Sequence, residues 1–107
     1  MTTNLKNIIK NGENLTTEFK ESRSKLNKDI YETICSFLNR EGGDIILGVK
    51  DDGTIQGVDE DKIDAMKKDL LTAINNPQKL NPPCYLNVDI VTLEDKKLMH
   101  IFVPQSS

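Results

Sequence analysis

The sequence has no tryptophan, only five aromatic residues, two cysteines and one histidine. Cys35 and Cys84 are too few and too far apart in sequence to indicate a disulfide framework or the paired ligands of a zinc site, so both are expected to be reduced thiols. A single histidine, His100, without a motif around a nucleophile supports no catalytic triad. We therefore interpret His100 as a packed or rim residue of a strand.

Long apolar runs and phosphate-binding motifs are also missing. No run approaches the roughly 20 residues that a membrane-spanning helix needs, and the first ten residues lack the features of a secretory signal. The patterns Gly-x-x-x-x-Gly-Lys-Ser/Thr and Gly-x-Gly-x-x-Gly do not occur, and Gly42-Gly43 has the position of a helix C-cap. We expect one cytoplasmic domain over residues 1–107 that does not enter the membrane.

The charge is unevenly distributed along the chain. The net charge is −3, yet residues 1–28 carry six basic and three acidic residues, whereas residues 29–107 carry eight basic and fourteen acidic residues. Phosphate attraction needs clustered lysine and arginine. A nucleic-acid surface, if present, must therefore be local and lie near the start of the chain.

A helix is predicted after Asn27, which is a candidate N-cap. Ile30, Ile34 and Phe37 recur at helical spacing and form one apolar stripe. The helix is expected to end near Arg40, before the two glycines. Two other helices are predicted, one in the first twelve residues and one from residue 59 to about residue 74.

Strands are predicted between these helices. Residues 44–49 form an apolar run typical of a strand buried on both faces, and the Asp-Asp-Gly turn after it leads to a second strand, 54–58. A hairpin of residues 85–93 and 98–103 follows. The prediction is an α+β domain in which a mixed β-sheet carries two main helices.

Four basic side chains, which we call the basic patch, fall within nine residues: Lys20, Arg23, Lys25 and Lys28. They run from the end of a predicted strand, 14–22, through a polar loop. Such a patch can hold the phosphates of a nucleic acid. Solvated loops are also commonly basic, so both interpretations remain open.

Three carboxylates are candidates for a catalytic metal site: Glu13, Glu18 and Asp51. If their strands are neighbours, they could meet at one end of the sheet, bind Mg²⁺ or Mn²⁺ and position a water against a phosphodiester. Glu13 and Glu18 are an odd number of positions apart, so a turn or bulge near Asn14 is required to bring them together. In a chain with seventeen acidic residues, a solvated acidic surface is the alternative interpretation.

Three successive segments resemble a known family: residues 16–22, 34–53 and 55–59. They contain a strand with Glu-Phe-Lys, a helix that ends in Phe-x-Asn-x-x-Gly-Gly, a buried strand that ends in Gly-Val, and an Asp-Gly turn. In this succession the chain resembles the Schlafen AlbA-like domain, over residues 12–103. Members are usually larger and run on into a further strand, so the resemblance implies an N-terminal piece that lacks its last strand.

The resemblance implies a nucleic-acid-binding domain of a transcriptional regulator, with DNA or RNA as the partner. The basic patch would then hold the phosphates, and a cofactor, Mg²⁺ or Mn²⁺, is indicated only if the domain is a nuclease. In animal Schlafens the domain cleaves RNA through two glutamates five positions apart and an aspartate after the Gly-Val strand, and Glu13, Glu18 and Asp51 match these positions. A ribonuclease that uses Mg²⁺ or Mn²⁺ is therefore the alternative from another class. A divergent ATPase, a label the family also carries, and a homodimerising module are the remaining alternatives.

Overall fold

The computed structural model describes residues 2–74 and 86–105, which contain three α-helices and four β-strands. In chain order they are α1 (Thr2–Asn11), β1 (Thr17–Lys20), α2 (Ile30–Leu38), β2 (Gly43–Leu47), α3 (Ile63–Ile74), β3 (Asn87–Leu93) and β4 (Lys96–Val103). A 3-10 turn, Glu60–Lys62, leads into α3. Cys84 and the predicted strand start at residue 85 lie outside the described residues.

The four strands form one mixed sheet in the order β1-β2-β4-β3. β1 runs parallel to β2, with Phe19 beside Ile46, and β4 is antiparallel to both of its neighbours. The β3–β4 hairpin turns at Glu94 and Asp95, whose φ angles are both positive, at 52° and 62°. Such two-residue turns match the twist of the strands that they join. The predicted α+β domain with a mixed sheet is confirmed.

Helices cover both faces of the sheet, which explains the sequence of β2. Ile45 and Leu47 contact the apolar stripes of α2 and α3, whereas Ile46 belongs to a second cluster with Phe19 and with Leu5 of α1. Ile45, Ile46 and Leu47 are each 0% exposed. The predicted central position of β2 is therefore confirmed, because only an interior strand can bury side chains on both faces in this way.

The start of α2 differs from the prediction. Its N-cap position is Asp29, and the helix begins at Ile30. The side chain of Asn27 instead accepts a hydrogen bond from the hydroxyl of Ser22 across the preceding loop. The predicted capping role of Asn27 is wrong, because its amide oxygen is already engaged outside the helix.

The predicted strand of residues 54–58 does not form. A single β-bridge joins Val49 to Ile55, and the amide of Gly57 donates to the carbonyl oxygen of Gly48 at 2.8 Å. Gly48 and Gly57 have φ angles of +98° and +89°. These left-handed conformations turn the chain at both glycines, so a regular ladder of β-sheet hydrogen bonds cannot continue through residues 54–58.

Membrane insertion through a helix finds no support in the described ranges, since no helix there is both long and apolar enough to cross a bilayer. α3 has twelve residues, whereas a spanning helix needs about 20. Its buried side chains lie on one side, against the sheet. The buried apolar side chains of α3 thus belong to the core.

Candidate nucleic-acid interface

The loop between β1 and α2 is tied to the fold at several points. Ser22, with φ of 34°, donates its hydroxyl hydrogen to Asn27 across the loop. The carbonyl oxygen of Arg23 accepts the N–H of Asp59 at 2.7 Å, which fixes the loop to the segment before α3. Leu26 packs against the core. Because the backbone is held at these points, the basic side chains project from a defined surface.

The basic patch divides into one buried lysine and three exposed cations. Lys20 is 6% exposed, and its Nζ lies 3.1 Å from Asp29 Oδ1 and 3.8 Å from Glu18 Oε2. Contact between Lys20 and a phosphate would require the ammonium to leave both carboxylates. Arg23 is exposed, and its Nε donates to Asp59 Oδ1 at 3.3 Å. Its other guanidinium N–H groups remain as donors.

Lys25 and Lys28 are exposed, and neither forms an ion pair with any residue in the described ranges. Both border an open groove of about 410 Å³ that the loop forms with α2 and α3. Its walls also include Leu26, Tyr31, Asp69 and Ala73. Burial, and then the negative charge of Asp69, raise the pKa of Tyr31 above 10.0, so the phenol is neutral at physiological pH.

Glu13 and Glu18 meet because the chain reverses direction before β1. The backbones of Asn14 and Thr17 exchange two hydrogen bonds, at 3.1 and 3.2 Å, so β1 begins only at Thr17. Glu13 Oε2 then accepts the backbone N–H of Phe19 at 2.9 Å. Burial, and then the charge of Glu13, raise the pKa of Glu18 above 4.5. The turn that the spacing of the two glutamates requires is present.

Asp51 lies in the exposed turn after β2, and the structure does not group it with Glu13 and Glu18. Within residues 2–74 and 86–105, no three His, Cys, Asp or Glu side chains lie close enough to share a metal ion. Glu13 and Glu18 alone match a site with two protein ligands. Mg²⁺ keeps several waters and is commonly held by one or two carboxylates together with substrate phosphates. A site built from all three carboxylates stays a prediction.

Two features were not predicted from the sequence. His100 Nε2 lies 2.6 Å from Asp44 Oδ1, and both side chains are about one-fifth exposed. Fifty-six positions separate this pair, so only the register of β2 with β4 reveals it. The groove wall formed by Tyr31 and Asp69 was also missed. Tyr31 follows Lys28 by only three positions, and this short separation was the available signal that the ring lies near the basic patch.

Comparisons with known proteins agree with this fold. The N-terminal domain of a RecG-related protein from Nitrosomonas europaea is similar over 99% of this chain and 74% of its own, with a TM-score of 0.68 and 21% identity. The DIP2311 protein from Corynebacterium diphtheriae is similar over 97% of this chain and 25% of its own, with a TM-score of 0.58 and 16% identity. At these identities the likeness shows a shared fold. The family model described as Schlafen, AlbA_2 matches residues 13–107, and the chain therefore belongs to the Schlafen AlbA_2 family.

Proposed function

We propose that this chain binds nucleic acid, with DNA as the preferred partner, and serves as the regulatory module of a cytoplasmic transcriptional regulator. The observation that carries the proposal is the exposed cationic surface of Arg23, Lys25 and Lys28 on an anchored loop beside an open groove. Lysines without a carboxylate partner can release counterions from a phosphate backbone when they bind it. Membership in the Schlafen AlbA_2 family supports the same function.

The net charge of −3 requires that phosphate attraction be local. Lys20 contributes to this from beneath the loop, because its ammonium lies against the carboxylates of Glu18 and Asp29. Its single positive charge thereby offsets one of the two negative charges that would otherwise repel a phosphate near the patch. The three exposed cations of the loop then supply the attraction for the ligand.

A triple change, Arg23→Ala, Lys25→Ala and Lys28→Ala, tests the proposal. Affinity for DNA at low salt is expected to fall by at least about tenfold, since these contacts supply the electrostatic part of binding. The slope of log affinity against log salt concentration should shrink by about 2 to 3, because each of the three lost phosphate contacts removes roughly 0.7 to 0.9. Fluorescence anisotropy of labelled DNA over a salt series measures both quantities.

The matched control is Lys6→Ala, Lys10→Ala and Lys50→Ala, which removes three exposed lysines that are not part of the loop. Its net charge equals that of the loop variant, so a general charge effect is the same in both. If the control loses as much affinity and salt dependence as the loop variant, the basic patch is not the binding surface. The same titration with RNA of matching sequence decides whether DNA is the preferred partner.

A second candidate, a metal-dependent ribonuclease, is favoured by the contact between Glu13 and Glu18. Burial, and then the neighbouring Glu13, raise the pKa of Glu18, and a bound cation would offset both the burial cost and the repulsion. In this candidate Asp51 is the third proposed ligand. A bound Mg²⁺ or Mn²⁺ would supply an activated water for attack on a phosphodiester.

Cleavage of structured RNA with added Mn²⁺ or Mg²⁺ tests this candidate. Glu18→Ala is expected to abolish cleavage, because it removes one of the paired carboxylates. The matched control is Glu21→Ala, which removes an exposed carboxylate three positions along the chain and is expected to keep the wild-type rate. Equal residual cleavage by wild type and by Glu18→Ala would identify a contaminating nuclease and remove the candidate.

A further inference from the structure

The groove beside the basic patch offers more than phosphate contacts. It has a volume of about 410 Å³ and opens between the loop, the first turn of α2 and α3. Lys25 and Lys28 line it from the loop, and Asp69 and Thr72 line it from α3. Tyr31 lines it from α2. Cationic, acidic and aromatic groups thus surround one space.

One wall of this groove is apolar. Tyr31 and Leu26 are half-buried and pack against the core, and Ala73 is 5% exposed. The phenol of Tyr31 is neutral at physiological pH, as a tyrosine ordinarily is, and burial raises its pKa further. No negative charge on the ring therefore repels an anionic ligand. A neutral aromatic side chain with aliphatic neighbours is a surface on which a nucleobase stacks.

We propose that this groove holds one unstacked nucleotide of a single-stranded nucleic acid, with its base against Tyr31 and its phosphates on Lys25 and Lys28. The inference rests on the proposed function, since it names the form of nucleic acid that the same surface takes. A base inside a duplex is stacked on both sides and cannot enter a groove until it is flipped out. The groove is within the usual size range of small-ligand sites, about 300 to 1,000 Å³.

Asp69 gives the bound nucleotide an orientation. Its carboxylate accepts hydrogen bonds and repels phosphates, whereas the lysines on the loop side attract them. The N–H donors on the edge of a base therefore fit the α3 side of the groove. The sugar-phosphate chain fits the side of Lys25 and Lys28.

The test compares labelled single-stranded DNA with a blunt duplex of the same sequence by fluorescence anisotropy. Wild type is expected to prefer the single strand. Tyr31→Ala should weaken single-strand binding by at least about fivefold, the lower end of the range for one stacked base. Tyr31→Phe keeps the ring and should restore most of the affinity. Phe102→Ala, which removes an exposed ring (43% exposed) from β4, away from the groove, is the matched control and should match wild type.

A second variant keeps the test decisive if Tyr31→Ala unfolds. Thr72 is exposed on α3 and lines the groove, so Thr72→Leu narrows the space without adding an aromatic ring. It should reduce the preference for single strand over duplex.

Stacking can also be followed in a Tyr85→Phe protein, where Tyr31 is the remaining tyrosine of a chain without tryptophan. Its fluorescence should be quenched by the single strand.

The outcomes separate the two proposals. If the loop charges matter but Tyr31→Ala and Thr72→Leu both bind the single strand as wild type does, or if duplex binds as tightly as single strand, the groove proposal is overturned while the proposed function stands. Absence of quenching likewise overturns it. If wild type binds neither nucleic acid at low salt, the proposed function itself is overturned.

Discussion

Gly42 packs where the turn after α2 meets the backbone at the end of β4, and Gly42→Ala probes this contact. Its φ angle is +78°, and its N–H donates to the carbonyl oxygen of Phe37 at 2.8 Å, which closes the end of the helix. A Cβ atom at Gly42 would lie 2.4 Å from the oxygen of Val103 and 2.8 Å from the nitrogen of Gln105. Both are backbone atoms, so relief requires the end of β4 and the chain after it to move.

Gly12 is the matched control, because it has a φ angle of +81° and a Cβ atom added there would meet nothing within 4 Å. Gly12→Ala therefore carries only the cost of a left-handed backbone, about 1 to 2 kcal/mol. Gly42→Ala carries the same cost and an overpacking cost of about 1 to 3 kcal/mol. The free energy of unfolding should thus fall by about 2 to 5 kcal/mol in Gly42→Ala.

Urea unfolding followed by circular dichroism measures the difference between these two variants. For a slope of about 1 to 3 kcal/mol per molar urea, the midpoint of Gly42→Ala should lie roughly 1 M below that of Gly12→Ala. Equal midpoints would refute the reasoning, because they would show that the close approach to Val103 and Gln105 contributes nothing.

Two further changes test α2 and the carboxylate pair. Phe37 is 5% exposed, so Phe37→Ala should lower the free energy of unfolding by about 3 to 5 kcal/mol; a loss under about 1 kcal/mol would show that α2 does not cover the sheet there. Burial and Glu13 raise the folded-state pKa of Glu18 above 4.5, so wild type loses stability as pH rises from 4.5 through that pKa. Glu18→Gln removes this loss and should be more stable than wild type at pH 7, with the gap closing below pH 4.5; an equal gap at acidic and neutral pH would contradict this.

The sequence by itself determined most of the helices and strands. The run of Ile45, Ile46 and Leu47 fits a strand covered on both faces, and the stripe that includes Ile30 and Phe37 fits a helix on one of them. These patterns depend on residues a few positions apart. The period of a helix or a strand determines which of those residues share a face. The predicted strand of residues 54–58 failed because glycine conformations, which apolar alternation does not report, curl that segment.

Only the tertiary structure decided which polar side chains meet. The spacing of Glu13 and Glu18 showed that a turn was required, but the fold supplied that turn and left Asp51 outside the pair. The burial of Lys20 against Asp29 likewise depends on how α2 packs on the sheet. Such contacts join residues that follow no shared period, and their energies depend on burial and distance. The order of the strands and the packing of the helices therefore determine these contacts, and the local sequence pattern does not.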